Sequence, residues 1–235
     1  AYSGGFDDSA AARVRLFAGP AGPIAEVHSA AAEVGQGIHT ILTQIARTEL
    51  SVEQVVLHPA DTHVGSAGSS SASRQTVMSG GAVQLACAAV RDELFERVRR
   101  RREAAAKGTL RGELALEDGQ ILASGEPVGA MEEFLETPIE QTRVYHHRRT
   151  QPLDARGQGD IHVMFAFAAQ RAVVEVDEEL GLVRVVQIAA AQDVGRAIHP
   201  QNVYGQIEGG TAQGLGLALM EEIQLKDGLI RNASF

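Results

Sequence analysis

Ile24-Ala25-Glu26-Val27-His28-Ser29-Ala30-Ala31-Ala32, continuing into Glu33-Val34-Gly35-Gln36-Gly37, decides how this chain is read. The first nine residues are mostly small or apolar and read as a buried strand. The Gly-Gln-Gly turn then opens onto Ile38, Ile41, Leu42, Ile45, Ala46 and Leu50, which have the spacing of one helix face. Ser51-Val52-Glu53 closes that helix, and Val55-Val56-Leu57 reads as the next strand. Residues 24–57 are thus strand, glycine turn, helix, strand.

Upstream, Arg13 to Phe17 reads as a strand turned by Gly19-Pro20-Ala21-Gly22-Pro23. Downstream, Asp61 to Arg74 is a Ser/Gly-rich loop leading into a long helix from Gln75 to about Ala106, with room for a break. Gly80-Gly81 near its start calls for close packing, and its arginine-rich tail reads as a solvated face. Glu113–Leu116 and Gln120–Ala123 read as short strands, Gly129–Glu136 as a short helix and Thr142–His147 as a strand. Val163–Val176 reads as a long buried strand with Leu182–Asp193 as its hairpin partner. Gly205-Gln206 reads as the turn that opens a glycine-rich helix to Leu219, and a last hairpin turns at Lys226-Asp227-Gly228. Strands outnumber helices and hairpins dominate. The fold class is therefore α+β, with mainly antiparallel sheets and helices packed on one face. The matched Gly35-Gln36 and Gly205-Gln206 turns suggest two related halves, near 1–108 and 109–235.

Composition narrows the function. With 44% hydrophobic and 22% charged residues in 235, the chain is globular and not disordered. Its net charge of −9 suits neither nucleic acid nor an anionic membrane. No apolar run is long enough to span a bilayer. Cys87 is the only cysteine, so no intrachain disulfide, Cys-based zinc site or iron–sulfur cluster forms within the chain. Residues 1–15 lack the apolar core of a signal peptide, and a cytoplasmic setting is expected. The start without Met and the strand-like end at Asn232-Ala233-Ser234-Phe235 suggest a piece of a longer polypeptide.

Three donor-rich helix starts carry the chemistry. A helix N-terminus exposes unpaired N–H groups and the positive end of the dipole, which suits phosphate or oxo anions. Glycine lets a ligand reach the backbone, and Gln adds a neutral donor. Ser69, Ser70, Ser71 and Ser73 add hydroxyls before the long helix. Each start taken singly also fits plain turn geometry. No phosphate-loop motif, no Rossmann spacing at Gly205–Gly210 and no G-x-S-x-G elbow is present. Gly210, Gly214 and Gly216 fall inside a helix, where close packing is the expected role. Histidine spacing predicts no protein-ligated metal: Pro59 separates His58 from His63, and His146 and His147 point to opposite strand faces. Glu33 and Glu208 stand near the two Gly-Gln turns, as bases or as simple complements to a helix dipole.

Four stretches in order, Glu33-Val-Gly-Gln-Gly-Ile-His-Thr40, Ala67-Gly-Ser-Ser-Ser-Ala-Ser-Arg-Gln-Thr76, Gln192-Asp-Val-Gly-Arg-Ala-Ile-His-Pro200 and Gly205-Gln-Ile-Glu-Gly-Gly-Thr-Ala-Gln-Gly-Leu-Gly216, resemble the molybdenum-cofactor subunit of the xanthine dehydrogenase/aldehyde oxidase family. The stretch from Gly157 to Glu222 looks most like bacterial xanthine dehydrogenases. The resemblance spans nearly the whole chain and implies a second molybdopterin-binding domain over residues 1–235, incomplete at both ends. It implies cofactor contacts at Gly35, Gln36, Gly37, Ala72, Ser73, Gln75 and Gln206, and a weaker substrate-pocket role for Tyr2 and Ser3. It implies molybdenum held by the pterin, free or as a dinucleotide, without a protein ligand. The first molybdopterin-binding domain, an iron–sulfur subunit and an FAD subunit would be partners, carried on other segments or chains. The family's catalytic Glu lies in a Gly-Glu motif near the subunit's C-terminus, outside this stretch, so no catalytic residue is assigned here. The implied activity is hydroxylation of a purine or related N-heterocycle with water-derived oxygen. An aldehyde or carbon monoxide oxidoreductase and a non-catalytic interaction module are the alternatives.

Overall fold

The computed structural model describes residues 2–3, 8–105 and 112–232. Its contacts divide the chain into two units, Ala1–Phe165 and Ala166–Phe235. The division falls at 165/166 and not near 108, because a strand C-terminal to 108 returns to the N-terminal sheet.

In the first unit, β1 (Tyr2–Ser3) pairs with β9 (His162–Met164). The main sheet has the order β4-β3-β2-β8, from β2 (Ser9–Gly19), β3 (Gly22–Ser29), β4 (Gln54–Leu57) and β8 (Ile139–His146). β2 is antiparallel to both β3 and β8. β3 and β4 are parallel, which requires a crossover. That crossover is α1 (Ile38–Leu50), as the apolar spacing predicts.

Strand alternation sorts the sheet's faces. Ala10, Ala12, Val14 and Leu16 of β2 and Ala25 and Val27 of β3 are buried, while Arg13, Arg15, Glu26 and His28 face outward. The inner face meets Ile38, Leu42, Ala46 and Leu50 of α1, one helical stripe. α2 (Arg74–Ala104) lies beside α1 and packs on β2 and β8 through Met78, Ala82, Val83, Ala86, Val90 and Leu94. Each such fully buried Leu, Val or Met stabilises the fold by about 1.5–3 kcal/mol. α2 is continuous, and its two early glycines explain how it sits so close. A Cβ on Gly80 would stand 3.0 Å from Ile45 of α1, and one on Gly81 would stand 2.8 Å from the Tyr145 ring of β8.

A three-stranded meander, β5 (Leu114–Glu117), β6 (Gln120–Ala123) and β7 (Glu126–Ala130), adds Leu114 and Ile121 to the same core. The short helix expected over 129–136 is instead the end of β7 followed by one 3-10 turn, Met131–Phe134. The pairing of Gln120 with Ala130 draws its first residues into the strand. The arginine tail of α2 is more than a solvated face. Arg97 donates to the Thr137 carbonyl at 2.6 Å, and Arg101 stacks over Phe134 and bonds the Glu133 carbonyl.

The second unit holds β10 (Phe167–Asp177), β11 (Leu182–Asp193), α3 (Pro200–Leu219) and a small hairpin, β12 (Leu225–Lys226) and β13 (Leu229–Ile230). β10 and β11 form the expected hairpin, with a bulge at Val173/Val174. The strand expected to be continuous and buried over 163–176 is neither. β9 and β10 are separate strands, and Phe167, Val174 and Val176 are exposed. A two-stranded ribbon has too few neighbours to bury both faces.

α3 also starts earlier than the Gly205-Gln206 turn implies. His199 is the cap, its Nδ1 accepting from Asn202 N–H at 3.2 Å, and Pro200 holds the first helical position. Gln206 is therefore inside the helix, and the two Gly-Gln dipeptides are not equivalent turns. Of the three glycines expected to pack closely, a Cβ on Gly210 or Gly214 would meet nothing within 4 Å among the described residues, and one on Gly216 would stand 2.9 Å from the Glu221 carboxylate. The whole is α+β, mainly antiparallel, with α1 and α2 on one face of the main sheet. Among the described residues no helix is long and apolar enough to cross a membrane.

Candidate functional site

Residues 30–37 and the Ser-rich loop are distant in sequence, yet the packing of α1 against α2 brings their helix starts together. Val34, Gln36, Ile38 and Ile41 from the first and Ser70, Ala72, Gln75 and Thr76 from the second line one pocket of about 120 Å³. Its polar lining is neutral, and two positive helix ends stand beside it.

The first wall is built on positive φ. Gly35 has φ +97° and Gly37, the α1 cap, φ +83°. Only glycine takes these conformations without strain. A Cβ on Gly35 would meet nothing within 4 Å among the described residues, so a ligand can approach its backbone. The Gln36 amide folds back on its own loop. Its Oε1 accepts from Val34 N–H at 2.6 Å, and its Nε2 donates to the Ala32 carbonyl at 2.9 Å. Glu33 sits at the helix start itself, accepting from Gly35 N–H at 2.8 Å, Gly37 N–H at 2.9 Å and His39 N–H at 3.0 Å. Burial pushes this carboxyl up, but the three N–H donors together hold it below the usual Glu range. Glu33 complements the dipole, and part of the α1 donor set is already engaged.

The second wall hangs on two buried polar side chains. Arg74, 2% exposed, makes a two-pronged pair with Asp8 at 2.6 and 2.7 Å. It also donates to the carbonyls of Ala67, of Ser69 at 3.0 Å and of Ser9 at 3.3 Å. The Arg74 guanidinium in turn holds the Asp8 carboxyl below its ordinary value. Gln75 turns its amide donors onto Ala67, Gly68 and Ser69 carbonyls at 3.1–3.4 Å, and its Oε1 accepts from Ser79. Ala72 takes φ +48°, an uncommon conformation for a residue with a Cβ. Ser73 caps α2 without a side-chain bond to the helix.

Of the residues the sequence singled out, Gln36, Ala72 and Gln75 line the pocket, while Gly35, Gly37 and Ser73 belong to the turns that build it. Gln206 is carried by α3 of the second unit, with its side chain exposed. The backbone of Tyr2–Ser3 forms β1, and the side chains lie outside the described residues. Sequence reading missed Arg74 and Asp8, which place the Ser-rich loop, because a buried Arg has no local signature. It also missed a cluster of Glu26, His28 and His58 on the outer sheet face. A parallel register of 24 with 54 would have paired 28 with 58.

Two helix starts beside a small pocket lined half by apolar and half by neutral polar residues are features of a small-molecule or cofactor-binding domain. The sequence model of the molybdopterin cofactor-binding domain matches residues 1–235. A probable xanthine dehydrogenase component from Bacillus subtilis is 32% identical over 200 residues, covering 83% of this chain and 26% of that protein. Rat (Rattus norvegicus) aldehyde oxidase 4 is 26% identical over 228 residues, covering 93% of this chain and 15% of that protein. The crystal structure of quinoline 2-oxidoreductase from Pseudomonas putida 86 superposes with a TM-score of 0.73 at 27% identity, over 95% of this chain and 28% of that one. The chain belongs to the molybdopterin cofactor-binding domain family of the xanthine dehydrogenases and aldehyde oxidases. It spans about a quarter or less of the length of these curated relatives.

Proposed function

We propose that this chain supplies part of the cofactor-binding surface of a molybdenum hydroxylase that oxidises a purine or related N-heterocycle. The observation that carries the reading is the pocket shared by Gln36 and the 70–76 segment at two helix starts. The residues fit one end of a molybdopterin. The walls offer the Ser70 and Thr76 hydroxyls and backbone near an open glycine, suited to a phosphate or a pterin oxygen, while the Gln36 and Gln75 amides hold their own loops in place. At about 120 Å³ the pocket is smaller than the ~300–1,000 Å³ of a whole ligand site, so other segments must enclose the rest. When bound, the cofactor supplies the redox chemistry at molybdenum. This chain binds and orients it: Arg74 and Gln75 fix the Ser-rich loop, and Glu33 fixes the turn that presents Gly35 and Gln36.

Gln206, on the second unit, is assigned a molybdopterin contact by the family resemblance of its motif. Iron–sulfur and FAD centres on other segments would take the electrons. The N-heterocycle is favoured over an aldehyde because the relative at 32% identity is named for xanthine and the structure at 27% for quinoline.

The test is cofactor content. In the complete enzyme, Ser70→Ala combined with Thr76→Val should lower molybdenum and pterin per folded molecule. Loss of one hydrogen bond to a charged group costs about 1.5–3 kcal/mol, roughly a ten- to hundredfold loss of affinity. Gln206→Ala should act in the same direction with little change in melting temperature, since it caps nothing. Unchanged cofactor content in both variants would refute the assignment.

A further inference from the structure

The outer face of the main sheet carries a histidine pair that the cofactor reading does not use. β3 and β4 are parallel with Ile24 beside Gln54 and Glu26 beside Val56. The pairing runs one step past β4, where His58 N–H bonds the Val27 carbonyl at 2.9 Å. His28 and His58 are thereby neighbours on adjacent strands, and their rings stack with centroids 4.0 Å apart and planes 7° from parallel. Glu26 lies two residues before His28 and so shares its face. One Glu26 oxygen, Oε2, is held by Arg15 at 3.1 Å; the other, Oε1, stands 3.6 Å from His58 Nε2. That distance is too long for a hydrogen bond. His58 Nε2 is buried and has no hydrogen-bond partner among the described residues, a cost of about 1–3 kcal/mol unless something binds it.

We propose that Glu26, His28 and His58 form a binding site for a borderline divalent cation of the Zn2+ type. One ligand atom from each residue can be chosen so that all lie within 4.8 Å of one another. Two imidazoles and one carboxylate match the preference of such ions, and water completes the shell. Metal–ligand distances of about 2.0–2.2 Å in a tetrahedral site place donors roughly 3.5 Å apart. The Glu26–His58 pair already has this spacing, whereas the two rings lie parallel, so binding requires them to tilt until both in-plane lone pairs meet the ion. Ligation requires neutral imidazole. Arg13 and Arg15 on β2 oppose a cation, so the affinity is expected on the order of micromolar and not nanomolar.

The site makes no use of the molybdopterin pocket, so its test stands apart from that reading. The purified full chain, stripped with chelator, is titrated with Zn2+ by calorimetry and with Co2+ by visible absorption. One equivalent should bind, the melting temperature should rise with Zn2+, and Co2+ should show nitrogen/oxygen ligand-field bands. His28→Ala and His58→Ala should each weaken binding by more than about tenfold, the lower bound for losing even a residue that only orients a ligand. Glu26→Gln, which keeps the shape of the face, covers the case in which a histidine variant does not fold, and should weaken binding likewise. The exposed His63→Ala should change nothing. Absence of saturable binding below about 0.1 mM, or one-site binding untouched in every folded variant of the trio, overturns the proposal.

Discussion

Arg74 shows how a single side chain can hold a loop. Its guanidinium is buried, and its partners are the Asp8 carboxylate and backbone carbonyls of residues 9, 67 and 69. Breaking a buried pair by neutralising one partner costs about 3–5 kcal/mol. Asp8→Asn should fall near the lower end, because the carbonyls remain; urea unfolding measures it. The Asp8 carboxyl is held below its ordinary value, chiefly by the Arg74 hydrogen bond. Its contribution is therefore complete above the usual Asp range and is lost as pH falls through the lowered value, so wild type and Asp8→Asn should converge in acid. Glu33 follows the same sign. Glu33→Gln should cost about 1 kcal/mol at neutral pH, the usual worth of a helix cap, and the difference should vanish at low pH. Cys87 behaves in the opposite way. Burial, with the Glu49 charge added, pushes its thiol up to about 12. It should resist alkylation at neutral pH until the protein unfolds, which a thiol reagent added with and without denaturant would show.

At the scale of elements, α2 lies close against β8 at Gly81. Gly81→Ala gains about 1 kcal/mol of helix propensity but forces a methyl against the base of the Tyr145 ring, 2.8 Å away. Overpacking of this kind costs about 1–3 kcal/mol, so the variant should be less stable, with a lower urea midpoint and an unchanged slope. α1 was readable because its stripe, its glycine turn and its ending were all local. α3 was misplaced for an equally local reason. Its first turn, His199-Pro200-Gln201-Asn202, carries a cap and a proline in the expected places, but the glycine dipeptide further on is the stronger local turn signal. In a helix whose described residues are all unburied, no apolar stripe was available to fix the start.

For the molecule as a whole, the two units differ in what they bury. The first has a continuous core running through β2, β3, α1, α2 and β8. In the second no described residue is buried, and Phe167, Tyr204, Leu217 and Met220 are exposed. Hydrogen exchange should show slow amides in β2 and α2 and fast ones in β10, β11 and α3 when the chain is studied alone. Equal protection in both units would contradict this.

The sequence by itself determined the α+β class, the β3–α1–β4 unit and the residues of the two helix starts, because each rests on local periodicity and turn chemistry. Only the tertiary structure decided that Gln36 and Ser70 share a pocket, that Arg74 and Gln75 serve the loop carbonyls, and that His28 meets His58. Those juxtapositions depend on which strands pair and how α1 packs against α2, and such long-range choices leave no trace in the spacing of any one segment.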